Sequence, residues 1–204
     1  MRLDRPIAAA FAINAAGHET AVRGPGLLSR LVVSALAAAA LLAAADARSR
    51  ATFSLTTQHG TSLTDRDLDG VPLAIFFGFT HCPDVCPTTL LEMTHDLGGL
   101  GPDGDRIKVV FVSVDPERDT PDVLEEYMAS FDPRIIALTG PNETIATVAR
   151  AYGASYRRVG GGPDYTIDHT AAVFLLDRDG EYVGALTFAD AEPVRLAKLR
   201  RLLP

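Results

Sequence analysis

LAIFFGFTHCPDVCP, residues 73–87, is the stretch whose reading decides the fold. Its first seven residues form a continuous apolar run, the pattern of a strand buried on both faces. Its remainder sets Cys82 and Cys86 beside Pro83 and Pro87, where that strand ends. A helix is expected over residues 88–97, stopped by Gly98-Gly99. Strand ends are where open α/β sheets present ligand sites. The amides and dipole of a helix N-terminus favour a thiolate, so at least one of the two cysteines is expected to deprotonate easily.

Downstream, IKVVFVSV (107–114) reads as a second buried strand. Thr120-Pro121 supplies an N-cap and a first-turn proline for a helix reaching about residue 131. A short strand at 135–138 precedes a helix over 142–152 that ends on Gly153. Gly160-Gly161-Gly162-Pro163 breaks the chain, and residues 171–177 and 182–188 read as a hairpin turned by Arg178-Asp179-Gly180. An amphipathic helix over 191–203 closes the chain. Upstream, FSL (53–55) and TSL (61–63), separated by Gly60, suggest an N-terminal hairpin. The fold class is one α/β domain over residues 51–204, a central mixed sheet flanked by helices.

Charge is uneven along the 204 residues. Residues 1–50 hold six Arg and three acids, whereas 51–204 hold 13 Lys and Arg against 23 Asp and Glu, a net of −10. Phosphate backbones are gripped by Lys and Arg that release counterions, so nucleic acid is excluded as a partner. The 15-residue run LVVSALAAAALLAAA (31–45) carries no charge and follows Arg2, Arg5, Arg23 and Arg30. That order sets an N-inside orientation. Residues 1–30 are then a cytoplasmic tail, residues 31–47 a membrane anchor or signal peptide, and the acidic body is exported.

With only two cysteines, neither a multi-bridge framework nor a four-cysteine zinc site is available. A stabilising bridge between Cys82 and Cys86 would close so small a loop that it yields little chain entropy. If residues 84–86 make one turn, both sulfurs face one side and can chelate one metal ion or close a disulfide. Of the four histidines in the body, His169 in DYTIDHTAAVFLL (164–176) falls at a strand edge or loop, with Asp168 and Asp164 near enough to orient its ring. His81 is the rival, although adjacent residues in an extended loop tend to point apart. Two thiolates and an imidazole form a soft, low-coordination set that suits copper, Cu(I) especially. A thiol-disulfide enzyme needs only the cysteines, so His169 separates the two readings. Within DPERDT (115–120), the acidic loop is either a partner-facing or ion-paired element near the site or a solvated turn.

FFGFTHCPDVCP (76–87), VSVDPERDTP (112–121), ALTG (137–140), AYGASYRRV (151–159) and DYTIDHTAAVFLLDRDG (164–180) resemble the Sco/SenC copper chaperones in order and spacing. The resemblance implies a thioredoxin-like fold with family insertions. It implies Cys82, Cys86 and His169 as the ligands of Cu(I) or Cu(II), and an extracytoplasmic domain, periplasmic or on the outer face of the cell membrane. It also implies a role in assembling the dinuclear copper site of cytochrome c oxidase subunit II, with that subunit or another copper protein of the respiratory chain as the partner. The competing function is a thiol-disulfide oxidoreductase using the Cys82–Cys86 pair to reduce the oxidase's cysteines before metallation. Against an ordinary thioredoxin, three residues rather than two separate the cysteines, and no proline directly precedes the 171–177 strand. A peroxidase or redox-linked copper sensor is a third possibility that no residue specifically supports.

Overall fold

The computed structural model describes residues 52–203. The tail and the anchor or signal segment therefore lie outside the described residues, and among those described no helix is long and apolar enough to cross a membrane.

The strands are β1 (Ser54–Thr57), β2 (Ser62–Thr64), β3 (Leu73–Gly78), β4 (Lys108–Ser113), β5 (Ile135–Thr139), β6 (Tyr156–Val159), β7 (Thr166–His169), β8 (Val173–Leu176) and β9 (Tyr182–Leu186). The helices are α1 (Val85–Leu100), α2 (Pro121–Met128), α3 (Asn142–Ala151) and α4 (Glu192–Arg200). Seven strands form one mixed sheet in the order β2-β1-β5-β4-β3-β8-β9. β3, β4 and β5 run parallel at its centre, and β8, β9 and the β1–β2 hairpin join antiparallel.

All six residues of β3 are buried because successive side chains feed two different cores. Leu73, Ile75 and Phe77 join Val110, Val112, Ile145 and Val148 on the α3 face. Ala74 and Phe76 join Leu90, Leu97, Leu124 and Leu199 on the face covered by α1, α2 and α4. The continuous apolar run is thus the signature of a central strand with helices on both sides.

Three sequence expectations need correction. Helix α1 starts earlier and ends later than the 88–97 helix. It absorbs Pro87, because a first-turn residue has no intrahelical use for its N–H. It also runs through Gly98-Gly99 to stop at Gly101, where φ is +60°. Gly99 serves packing instead, since a Cβ there would lie 3.3 Å from the Leu196 side chain of α4. The α2 helix ends at Met128 rather than near residue 131, although Thr120 caps it as expected by accepting from the Val123 N–H. Finally, the glycine run is the turn of an unforeseen two-stranded sheet, β6–β7, with Gly160 and Gly162 at positive φ. His169 ends β7, paired with Tyr156, so its place in the molecule is set by this hairpin.

A candidate metal centre of two cysteines and a histidine

Cys82 lies in the turn between β3 and α1, Cys86 in the first turn of α1, and His169 at the end of β7. Their donor atoms all fall within 4.8 Å of one another, and among the described residues this is the one such group of three or more metal-binding side chains. Cys86 Sγ is 3.5 Å from His169 Nε2. Both cysteines are free thiols, Cys86 fully buried and Cys82 at the edge of burial. The three sequence-predicted residues thus converge from two segments of chain.

Several neighbours shape this arrangement. Gly78 makes room for Cys86, since a Cβ on it would lie 2.5 Å from Cys86 Sγ. The Cys82 N–H donates to the Phe79 carbonyl at 3.2 Å, which holds the turn closed. The Phe79 ring meets the His169 ring edge to face, centroids 5.9 Å apart. His169 Nδ1 lies 3.2 Å from the Thr170 carbonyl. A carbonyl only accepts, so Nδ1 carries the proton and Nε2 turns its lone pair towards Cys86.

The expected carboxylate partner for His169 is overturned. Asp168 pairs instead with Arg157 at 2.6 Å, on the exposed outer side of the hairpin, and the backbone carbonyl takes the orienting role. His81 stays outside the group: half-exposed, its Nδ1 lies 3.0 Å from Thr80 Oγ1 and 4.0 Å from Asp119. Cys86 is not the easily ionised thiol that the helix N-terminus was expected to supply. Burial pushes its thiol well above the ordinary range, with a backbone hydrogen bond from Phe79 opposing and the charges of Cys82 and Asp119 adding to the rise.

The 115–120 loop is the ion-paired element of the two readings, not a solvated turn. Asp115 and Asp119 are both buried. Asp115 pairs with Arg118 and accepts from the Tyr165 hydroxyl, while Asp119 accepts from Thr80 and Ser113. Gly78, Phe79 and Tyr165 went unrecognised as parts of the site. Only Gly78 left a signal, as the single glycine in an apolar strand, a mark of close approach.

Chemically, two sulfurs and one imidazole nitrogen make a three-donor set of soft and borderline character. Structural zinc takes four protein ligands, and calcium or magnesium would require oxygen. The set fits copper, whose monovalent ion is selected by thiolates.

A family model described as SCO1/SenC matches residues 43–204, and the chain belongs to that family. It is 39% identical over 153 residues to Protein SCO2, mitochondrial, of Saccharomyces cerevisiae, covering 72% of this chain and 50% of that protein. It is 42% identical over 141 residues to Protein SCO1 homolog, mitochondrial, of Homo sapiens, covering 64% of this chain and 45% of that protein. The chain thus spans about half the length of these two relatives. Among solved structures, Bradyrhizobium japonicum ScoI with copper bound is similar at a TM-score of 0.70 and 44% identity, over 75% of this chain and 98% of that one. The thioredoxin-like α/β fold expected from the sequence is therefore the fold of this protein.

Proposed function

We propose that this protein is a copper-binding metallochaperone that assembles the dinuclear copper site of cytochrome c oxidase subunit II. Cys82, Cys86 and His169 are its ligands. The observation that carries the reading is the convergence of these three donors within 4.8 Å, with no fourth metal-binding side chain joining them among the described residues. Family membership and the likeness to a copper-bound relative support it.

Copper is the cargo rather than a resident cofactor. Loading requires Cys86 to give up a proton that burial holds firmly, so uptake is coupled to proton release. Delivery follows by ligand exchange, His169 and the two sulfurs letting go one at a time as the partner's ligands replace them. The domain acts on the extracytoplasmic side, in the periplasm or on the outer cell-membrane face. The uncharged run at 31–45 takes it there as an anchor or a signal peptide.

The second reading, a thiol-disulfide oxidoreductase, draws on the proximity of the two free thiols. The raised Cys86 thiol makes it a poor attacking group, leaving that role to Cys82. Oxidase activity in a deletion strain separates the readings. Loss of active copper oxidase, rescued by wild type but not by His169→Ala, is the result expected for copper delivery. Rescue by both would make thiol exchange the better account.

A further inference from the structure

We propose that residues 114–120, the connection from β4 to α2, form a brace that fixes the histidine half of the donor set against the cysteine half. The inference rests on the copper reading above. The two halves are 83 residues apart in sequence. They also belong to separate parts of the fold: among the described residues β6 and β7 pair with each other and with no strand of the seven-stranded sheet, whose β3 the cysteines follow. Something must hold the imidazole at its distance from the sulfurs, and this loop touches both sides.

Asp119 secures the cysteine side. Its side chain is fully buried, yet three donors converge on it. The Thr80 N–H donates at 3.0 Å, the Thr80 hydroxyl at 2.6 Å and the Ser113 hydroxyl at 2.6 Å. Thr80 stands two residues before Cys82, so these bonds pin the start of the cysteine turn to the end of β4. A buried carboxylate is tolerated only when its oxygens are satisfied in this way.

Arg118 and Asp115 secure the histidine side. The Arg118 guanidinium pairs with Asp115 and donates through Nη1 to the Tyr165 carbonyl at 3.1 Å. It also lies 3.7 Å from the centroid of the Tyr165 ring, and the Arg158 guanidinium lies 3.4 Å from the same centroid. Two cations that close to one centroid can only occupy its opposite faces, so Tyr165 is clamped between them. Its hydroxyl donates to Asp115. Tyr165 immediately precedes β7, the strand that His169 ends.

The two ends of the brace form a single turn, with the Arg118 and Asp119 N–H groups both donating to the Asp115 carbonyl at 3.1 and 2.9 Å. Arg118 further stands 5.8 Å over the Phe79 ring, whose face or edge meets His169. Arg118, Asp115 and Asp119 are therefore positioning residues that act on the donors through Tyr165, Phe79 and Thr80.

The test uses the full chain, reduced and then titrated with the cupric ion alone. Arg118→Lys keeps the charge but loses the planar stack and fork. Its copper Kd should rise at least tenfold, with weakened nitrogen coupling in the electron paramagnetic resonance spectrum and a retained sulfur-to-copper absorption band. Thr80→Val removes one hydrogen bond of the other arm. It should shift the sulfur-to-copper band and leave the nitrogen coupling in place. Leu199→Ala, buried on α4, serves as a destabilised control that keeps both signatures. Wild-type affinity and spectra in Arg118→Lys and Thr80→Val, whatever their unfolding temperatures, would overturn the brace. A reduced wild-type chain that takes up neither the cupric nor the cuprous ion would instead remove the copper reading, and the brace with it.

Discussion

A Cβ built on Gly78 would lie 2.5 Å from Cys86 Sγ and 2.9 Å from the Phe111 ring. Neither neighbour has room to retreat, since Cys86 and Phe111 are 1% and 0% exposed. Gly78→Ala is therefore expected to cost about 1–3 kcal/mol in stability through overpacking. It should also weaken copper binding roughly tenfold, about 1.4 kcal/mol, by displacing one sulfur. Denaturant unfolding and a copper competition titration check the two effects separately. At the same scale, the Cys86 thiol gives a signed pH dependence. Burial raises it above its ordinary value of 9.0. Below that value both native and unfolded chains keep the proton and the group contributes nothing. Above it the unfolded chain ionises first, so the stability of the copper-free protein falls as pH rises. Urea unfolding at about pH 7 and about pH 10 should show a larger loss in wild type than in Cys86→Ser. Equal losses would remove burial of this thiol from the account.

At the scale of elements, α1 carries Cys86 and is clasped to α4 by a buried ion pair. Arg195 Nε donates to Asp96 Oδ2 at 2.8 Å and Nη2 to Oδ1 at 3.1 Å, a two-pronged contact between residues 99 apart. Asp96→Ala leaves the guanidinium buried with hydrogen bonds to Glu92 and the Asp190 carbonyl alone. A loss of about 3–5 kcal/mol is expected by chemical denaturation. A change below ~0.5 kcal/mol, typical of a surface site, would contradict it. The elements also show what was legible in sequence. β3 and β4 were readable because central strands bury both faces and so appear as unbroken apolar runs. The Thr120-Pro121 start of α2 was readable because its cap is local. The β6–β7 hairpin was not: YRRV is exposed throughout its last three residues, so no alternation marks it. The donor set was legible from residue types and family blocks, whereas the Thr170 carbonyl that orients His169 is backbone and leaves no trace in side-chain identity.

For the whole molecule, the fold brings β3, α1 and the separate β6–β7 sheet to one place and lets three donors from distant segments meet. The acidic body, net −10 over residues 51–204, favours a basic or mixed-charge docking face on the partner. Everything proposed about delivery depends on that meeting point holding copper. The most direct measurement is copper bound per full chain, by competition against a chelator, for wild type, Cys82→Ser, Cys86→Ser and His169→Ala. One tightly bound copper in wild type and loss of tight binding in each variant is the predicted result. Full stoichiometry at wild-type affinity in His169→Ala, or no uptake by the reduced wild type, would contradict the account.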